Sequence, residues 1–110
     1  MMRESSYVKL RIGVPVTHAD ALRTVLGDAG AGIQGHYSHC SSSYRVTGRF
    51  LPLVGATPAL GEIGKHETVE EEVIEVLCHK DILKKVIAEV KKVHPYEEPP
   101  IDILPRFELE

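Results

Sequence analysis

The chain has 110 residues, which suits one domain with a single core and no disulfide staples. Its 43% apolar and 26% charged residues are those of a globular protein, and a net charge of −3 without any basic run argues against a nucleic-acid partner. No apolar stretch is long enough to span a membrane, and the start MMRESSYVKL lacks a signal peptide's apolar centre, so a cytoplasmic location without a membrane partner is expected.

The first element is YVKLRIGVP. Val8, Leu10, Ile12 and Val14 alternate with Lys9 and Arg11, the pattern of a half-buried strand that Pro15 ends. THADALRTVLGDAG follows as a helix. Thr17 is its expected cap, Leu22, Val25, Leu26 and Ala29 form its apolar face, and Gly30 and Gly32 stop it. SSYRVTGRFLP alternates again, with Tyr44, Val46 and Phe50 on one face and Arg45, Thr47 and Arg49 on the other, and it can start as early as Tyr37. PLVGATPALGEIGKHE is rich in Gly and Pro and reads as a long loop.

VEEEVIEVLC is the third strand, with Ile74, Val76 and Cys78 inward and Glu71 and Glu75 outward. DILKKVIAEVKKV is the clearest helix. It buries Leu83, Val86, Ile87 and Val90 and carries lysines in its last turn, where the helix dipole favours cations. After HPYEEPP comes a short last strand, IDILP.

The order β-α-β-β-α-β makes an α+β, ferredoxin-like sandwich, with both helices on one face of one sheet. Right-handed connections place the third strand between the first two and the fourth beside the first. No linker divides the chain, so residues 1–110 read as a single domain. On the open face, Lys9 and Arg11, Arg45 and Arg49, and Glu71 and Glu75 would form a basic-acidic-basic ladder interrupted by Val73 and Leu77. A bare, part-apolar sheet face with long edge strands predicts a homo-oligomer.

The metal-ligating residue types fall at the two ends of this sheet. His36, His39, Cys40, Cys78 and His79 belong to one end, with ligand types that suit zinc but spacing that fits no standard finger. The two cysteines are expected as free thiols. His94 and Glu97 belong to the other end, with His66 and Glu67 of the long loop and His18. A strand of about eight residues spans roughly 26 Å. A divalent ion on His39, Cys40, His94 and Glu97 would therefore be shared between subunits. The structural reading of HPYEEPP is a helix stop and strand guide: Pro95 makes His94 extended, Pro99 and Pro100 stiffen the approach to the last strand, and the Tyr96 hydroxyl stays wet. No nucleophile elbow, HxxxH or phosphate-binding GxxxxGK occurs, so no catalytic residue is assigned.

GHYSHCSSSYRVTGRFLPLVGATPALGEIGKHETVEEEVIEV together with HPYEEPPIDILP resembles the PII-like domain inserted in the YqfO branch of the YqfO/YbgI dinuclear-metal hexameric proteins. The resemblance runs from about Tyr7 to Pro105. HPYEEP is also similar to the HPYE block of the CutA divalent-cation-tolerance proteins, which share the fold and form trimers. The resemblance implies a PII/CutA-like domain, here standing alone. The dinuclear site of YqfO/YbgI proteins belongs to their surrounding domain, so its ligands fall on no residue of this chain. His36 stands where that family usually has asparagine. Residues 51–69 occupy the place of the long PII loop, without a recognisable nucleotide-contacting motif.

The expected function is that of a small, non-catalytic, oligomeric binding or regulatory protein. Its candidate ligands are a divalent metal ion, a small molecule or a protein partner. The alternative is an adaptor or subunit acting with a YqfO/YbgI-type metal enzyme.

Overall fold

Alternating apolar residues build the first strand, β1 (Met2–Pro15), in a computed structural model that describes residues 1–110. Val8, Leu10, Ile12 and Val14 point to one side of it and are buried. Pro15, with φ −54° and ψ 140°, turns the chain directly into helix α1 (Val16–Asp28). Thr17 does not cap this helix. It lies inside the first turn, and its hydroxyl bonds His18 Nδ1 at 2.9 Å. Ala19, Leu22 and Leu26 are the buried stripe of α1.

Strand β2 (Ser42–Phe50) begins later than Tyr37, which takes part only in an isolated bridge with Gln34. Strand β3 (Glu67–His79) leads through a 3-10 turn (Lys80–Ile82) into helix α2 (Leu83–Val93), whose Val86 and Val90 are buried. Strand β4 (Ile101–Leu109) runs past the expected IDILP and takes in most of the tail. The extra length comes from pairing: Met2, Arg3 and Glu4 lie opposite Leu109, Glu108 and Phe107. Beyond them, the Glu110 N–H bonds the Met1 carbonyl at 2.9 Å.

The sheet order is β2-β3-β1-β4, with every neighbouring pair antiparallel. One core joins the inward residues of β1 and β3 to those of both helices, so the helices share one face. This is the expected ferredoxin-like α+β arrangement. No helix is long and apolar enough to cross a membrane.

The charge ladder exists in part. On the open face, Lys9 Nζ lies 3.6 Å from Glu75, Arg11 pairs with Asp102 at 2.9 Å, and the Tyr44 hydroxyl donates to Glu75 at 3.1 Å. Arg45 is on the opposite face. Its partner there is Glu72, at 3.2 Å, which also takes Arg23 of α1 at 2.5 Å. Arg49 pairs in register with Thr68 on that same side. Strand alternation correctly groups Arg45 with Arg49, but the register of β2 on β3 decides which face they take. Hydrogen bonding to Arg23 holds the Glu72 carboxyl below the usual carboxylate range.

Candidate functional site

The segment HPYEEPP begins where α2 must stop. His94 has φ −72° and ψ 130°, extended as Pro95 demands, and its N–H still bonds the Val90 carbonyl at 2.9 Å. The imidazole is not a surface group. It is 7% exposed. Nε2 donates to the Gly13 carbonyl at 2.7 Å, and Nδ1 accepts from the Tyr96 N–H at 3.1 Å. Both contacts suit the neutral ring, and burial pushes its pKa below the ordinary value. His94 thus pins the end of α2 to β1. The missing side chain of Gly13 makes room for Pro100 rather than for His94: a Cβ there would stand 3.2 Å from the Pro100 ring.

Tyr96 is also more enclosed than expected. Its hydroxyl donates to Glu71 Oε2 at 2.5 Å, and its ring lies 5.1 Å from that of His94 and 6.2 Å from that of Phe50. Burial first, and then the bond to Glu71, push the phenol's pKa far up, so it remains a donor at neutral pH. Glu71 points outward as expected, yet it is only 8% exposed. Its carboxylate lies over Gly48, where a Cβ would stand 2.6 Å from Oε1. Gly48 has no positive φ; here glycine supplies space rather than backbone freedom.

Glu97 extends from this cluster to the long loop between β2 and β3. Its Oε1 accepts the Thr57 N–H at 3.0 Å, while Gly64 N–H to Pro52 O, at 2.8 Å, pinches the neck of the loop. Beside these contacts lies a cleft of about 390 Å³ that is open to solvent. Phe50, Pro58, Leu60 and Tyr96 give it apolar walls, and Glu71 and Glu98 give it acceptors. Glu97→Ala is expected to release the loop: the Thr57 amide should exchange faster than in wild type, for a local change of about 0.5–1.5 kcal/mol, with the melting temperature little moved. Unchanged exchange at Thr57 would mean that other contacts hold the loop.

The other candidate ligands lie at the far end of the sheet. Tyr7 faces His79 at that end of the β1–β3 ladder, whereas Pro15 faces Glu71 at the cleft end. His39 Nε2 is 3.0 Å from Asp28 Oδ1, and its Nδ1 is 3.0 Å from Ser38 Oγ. Cys40 is half-buried, Cys78 is buried, and both are free thiols. His79 accepts the Asp81 N–H at 3.1 Å and packs edge-on to Tyr7. His39 and Cys40 therefore do not meet His94 and Glu97 in one protomer, and no three His, Cys, Asp or Glu side chains converge to hold a metal ion. The residues the sequence did not mark are Gly13, Gly48 and the buried Glu71. A glycine near the end of β1 and another near the end of β2 are the sign they leave.

No family model matches the chain. Among curated relatives, the GTP cyclohydrolase 1 type 2 homolog of Halalkalibacterium halodurans is 46% identical over 102 residues, which is 93% of this chain and 27% of that protein. The homolog of Bacillus subtilis is 45% identical over 97 residues, 88% of this chain and 26% of that protein. The chain thus spans about a quarter of the length of these relatives. Among solved structures, a Bacillus cereus protein related to NIF3 superposes with a TM-score of 0.79 at 42% identity, over 96% of this chain and 26% of that one. The periplasmic divalent cation tolerance protein CutA of Archaeoglobus fulgidus gives 0.66 at 20% identity, covering 91% of this chain and 83% of its own. The GlnK–ATP complex of B. subtilis gives 0.61 at 16% identity, covering 91% and 81%. The last two likenesses show a shared fold.

Proposed function

The chain belongs with the PII/CutA-like segment of the NIF3/YqfO-related GTP cyclohydrolase 1 type 2 homologs, and on that premise we propose that it is a small cytoplasmic binding or regulatory module without a catalytic step of its own. The observation that carries this reading is the cleft under the long loop. It has aromatic walls, a carboxylate in its lining, and a loop tied to the body of the protein by one exposed hydrogen bond, from Thr57 to Glu97. Such a loop can open and close on a ligand at small energetic cost.

The module works as a closed homo-oligomer, with a trimer as the first expectation. β2 and β4 are edge strands without a neighbour on their outer sides, and the open face carries Tyr44 at 47% exposure beside the Lys9–Glu75 and Arg11–Asp102 pairs. A divalent ion on His39 and Cys40 would need further ligands from a neighbouring copy. His94 would have to give up Gly13 or Tyr96 to join it. Native mass spectrometry with metal analysis tests these points together. A small closed oligomer is expected, with any retained ligand visible as added mass; a monomer at micromolar concentration would overturn self-association.

A second reading, an adaptor or subunit for a YqfO/YbgI-type metal protein, draws support from the 42% identity to part of a protein related to NIF3. Mixing the chain with such a protein in the same spectrometric experiment distinguishes it by the mass of a mixed complex.

A further inference from the structure

The cleft floor presents a carboxylate oxygen for which the protein supplies no donor. Glu71 is 8% exposed, and its Oε2 receives the Tyr96 hydroxyl. Its Oε1 receives no hydrogen bond. No wholly buried side-chain oxygen or nitrogen in the molecule lacks a partner, so Oε1 keeps some accessible surface, on a side chain that lines the cleft. Two strands leave out side chains around it: a Cβ on Gly48 would be 2.6 Å from Oε1, and one on Gly13 would be 3.7 Å away. An acceptor with so little exposure and no protein donor relies on water or a ligand to supply one.

The surroundings select the ligand. Glu71, Glu97 and Glu98 outnumber Arg49, the single cation on the lining. These carboxylates do not converge on a metal-holding point. They are spread along walls that include the Phe50 and Tyr96 rings, whose centroids are 6.2 Å apart. Dispersed acceptors among aromatic and proline surfaces fit a cation with an apolar body better than a bare ion. The volume of about 390 Å³ is that of a small-molecule site. We infer that the cleft takes a small organic cation, an amine or guanidinium on an apolar body, with its charged head on Glu71 Oε1 and its body against Phe50 and Tyr96. The inference rests on the reading of this chain as a binding module.

Three probes of matched size test it: benzylamine, benzyl alcohol and benzoate, each titrated by NMR into wild type, Glu71→Gln and Glu98→Gln. In wild type, benzylamine should shift the Phe50 and Tyr96 resonances and bind at least about tenfold tighter than benzyl alcohol, as a charge-assisted contact does over a neutral one. Glu71→Gln keeps an acceptor for Tyr96. It should lose about tenfold or more of benzylamine affinity while leaving benzyl alcohol unchanged. Glu98→Gln, at an exposed position, should fold normally and lose less. Benzoate or benzyl alcohol binding as well as benzylamine would overturn the cation and leave the cleft as a ligand site. Full benzylamine affinity in folded Glu71→Gln would overturn the assigned head position. Absence of any cleft shift with all three probes would remove both this inference and the binding role of the cleft. Should Glu71→Gln unfold, the wild-type ranking of the three probes still decides.

Discussion

Alanine at position 94 is expected to destabilise the protein by about 2–4 kcal/mol. The imidazole is buried, and its removal leaves the Gly13 carbonyl and the Tyr96 N–H without their partners. It also opens a void between the end of α2 and β1. Chemical denaturation of His94→Ala measures the loss; a change within about 0.5 kcal/mol would mean that the turn does not depend on this bolt. The same residue gives the fold a pH dependence. Burial lowers the folded pKa of His94 from the ordinary 6.5; the Gly13 bond and Glu71 oppose the shift, and His18 adds to it. Above 6.5 the ring is neutral in both states and its contribution is fully present. As pH falls below that value the unfolded chain takes up the proton first, and stability declines until the folded pKa is passed. His94→Ala lacks this component, so its advantage at neutral over acid pH should be smaller than that of wild type.

Gly32→Ala is expected to remove more than about 3 kcal/mol. Gly32 has φ +78°, a conformation strained for any residue with a Cβ. The added carbon would also stand 2.5 Å from the Cys40 carbonyl oxygen and 2.9 Å from its nitrogen. Both are backbone atoms, held by the bond from Cys40 N–H to Gly32 O at 2.9 Å, while Gly32 N–H ties the same point to Leu77 O at 2.7 Å. Neither side can yield without breaking the connection from α1 to β3. Gly35→Ala is the matched control. Its φ is +59° with nothing within 4 Å of the new carbon, so only the backbone strain of about 1–2 kcal/mol applies. Equal losses in the two variants would show that contact with Cys40 does not matter.

The elements and the strand order follow from local pattern. The alternation of Val8 to Val14 and the helical stripe with Val86 and Val90 each state which side is inward, because the core is apolar on that side. HPYEEPP behaves as the helix stop and strand guide its prolines imply. The sequence is less informative where a residue's surroundings come from distant segments. His94 is buried by Gly13, 81 positions away, and only the β1–α2 packing brings them together. Arg45 alternates as expected, but nothing local to SSYRVTGRF says that Glu72 and Arg23 wait on its side. Glu71 lies in an acidic run, VEEEV, that reads as solvated; two glycines from other strands and Tyr96 enclose it. The start, MMRESS, has no apolar alternation. It is strand because Phe107 to Leu109 pair with it, and Ser5 is buried there as an acceptor for the Tyr7 N–H at 3.0 Å.

The hydrogen bond from Glu110 to Met1, with Met2 opposite Leu109, closes the backbone into a ring with one non-covalent seam. Both ends therefore leave the molecule side by side, about one strand spacing of roughly 5 Å apart. A host polypeptide could carry this unit as a pendant, its own course interrupted at a single point, and a circular permutant would need only a short bridge across the seam. The seam also sets the orientation of the pendant. It sits beyond the Tyr7 end of β1, and the cleft sits at the Pro15 end. Whatever is attached at the ends, the loop and the Glu71 floor are directed away from it.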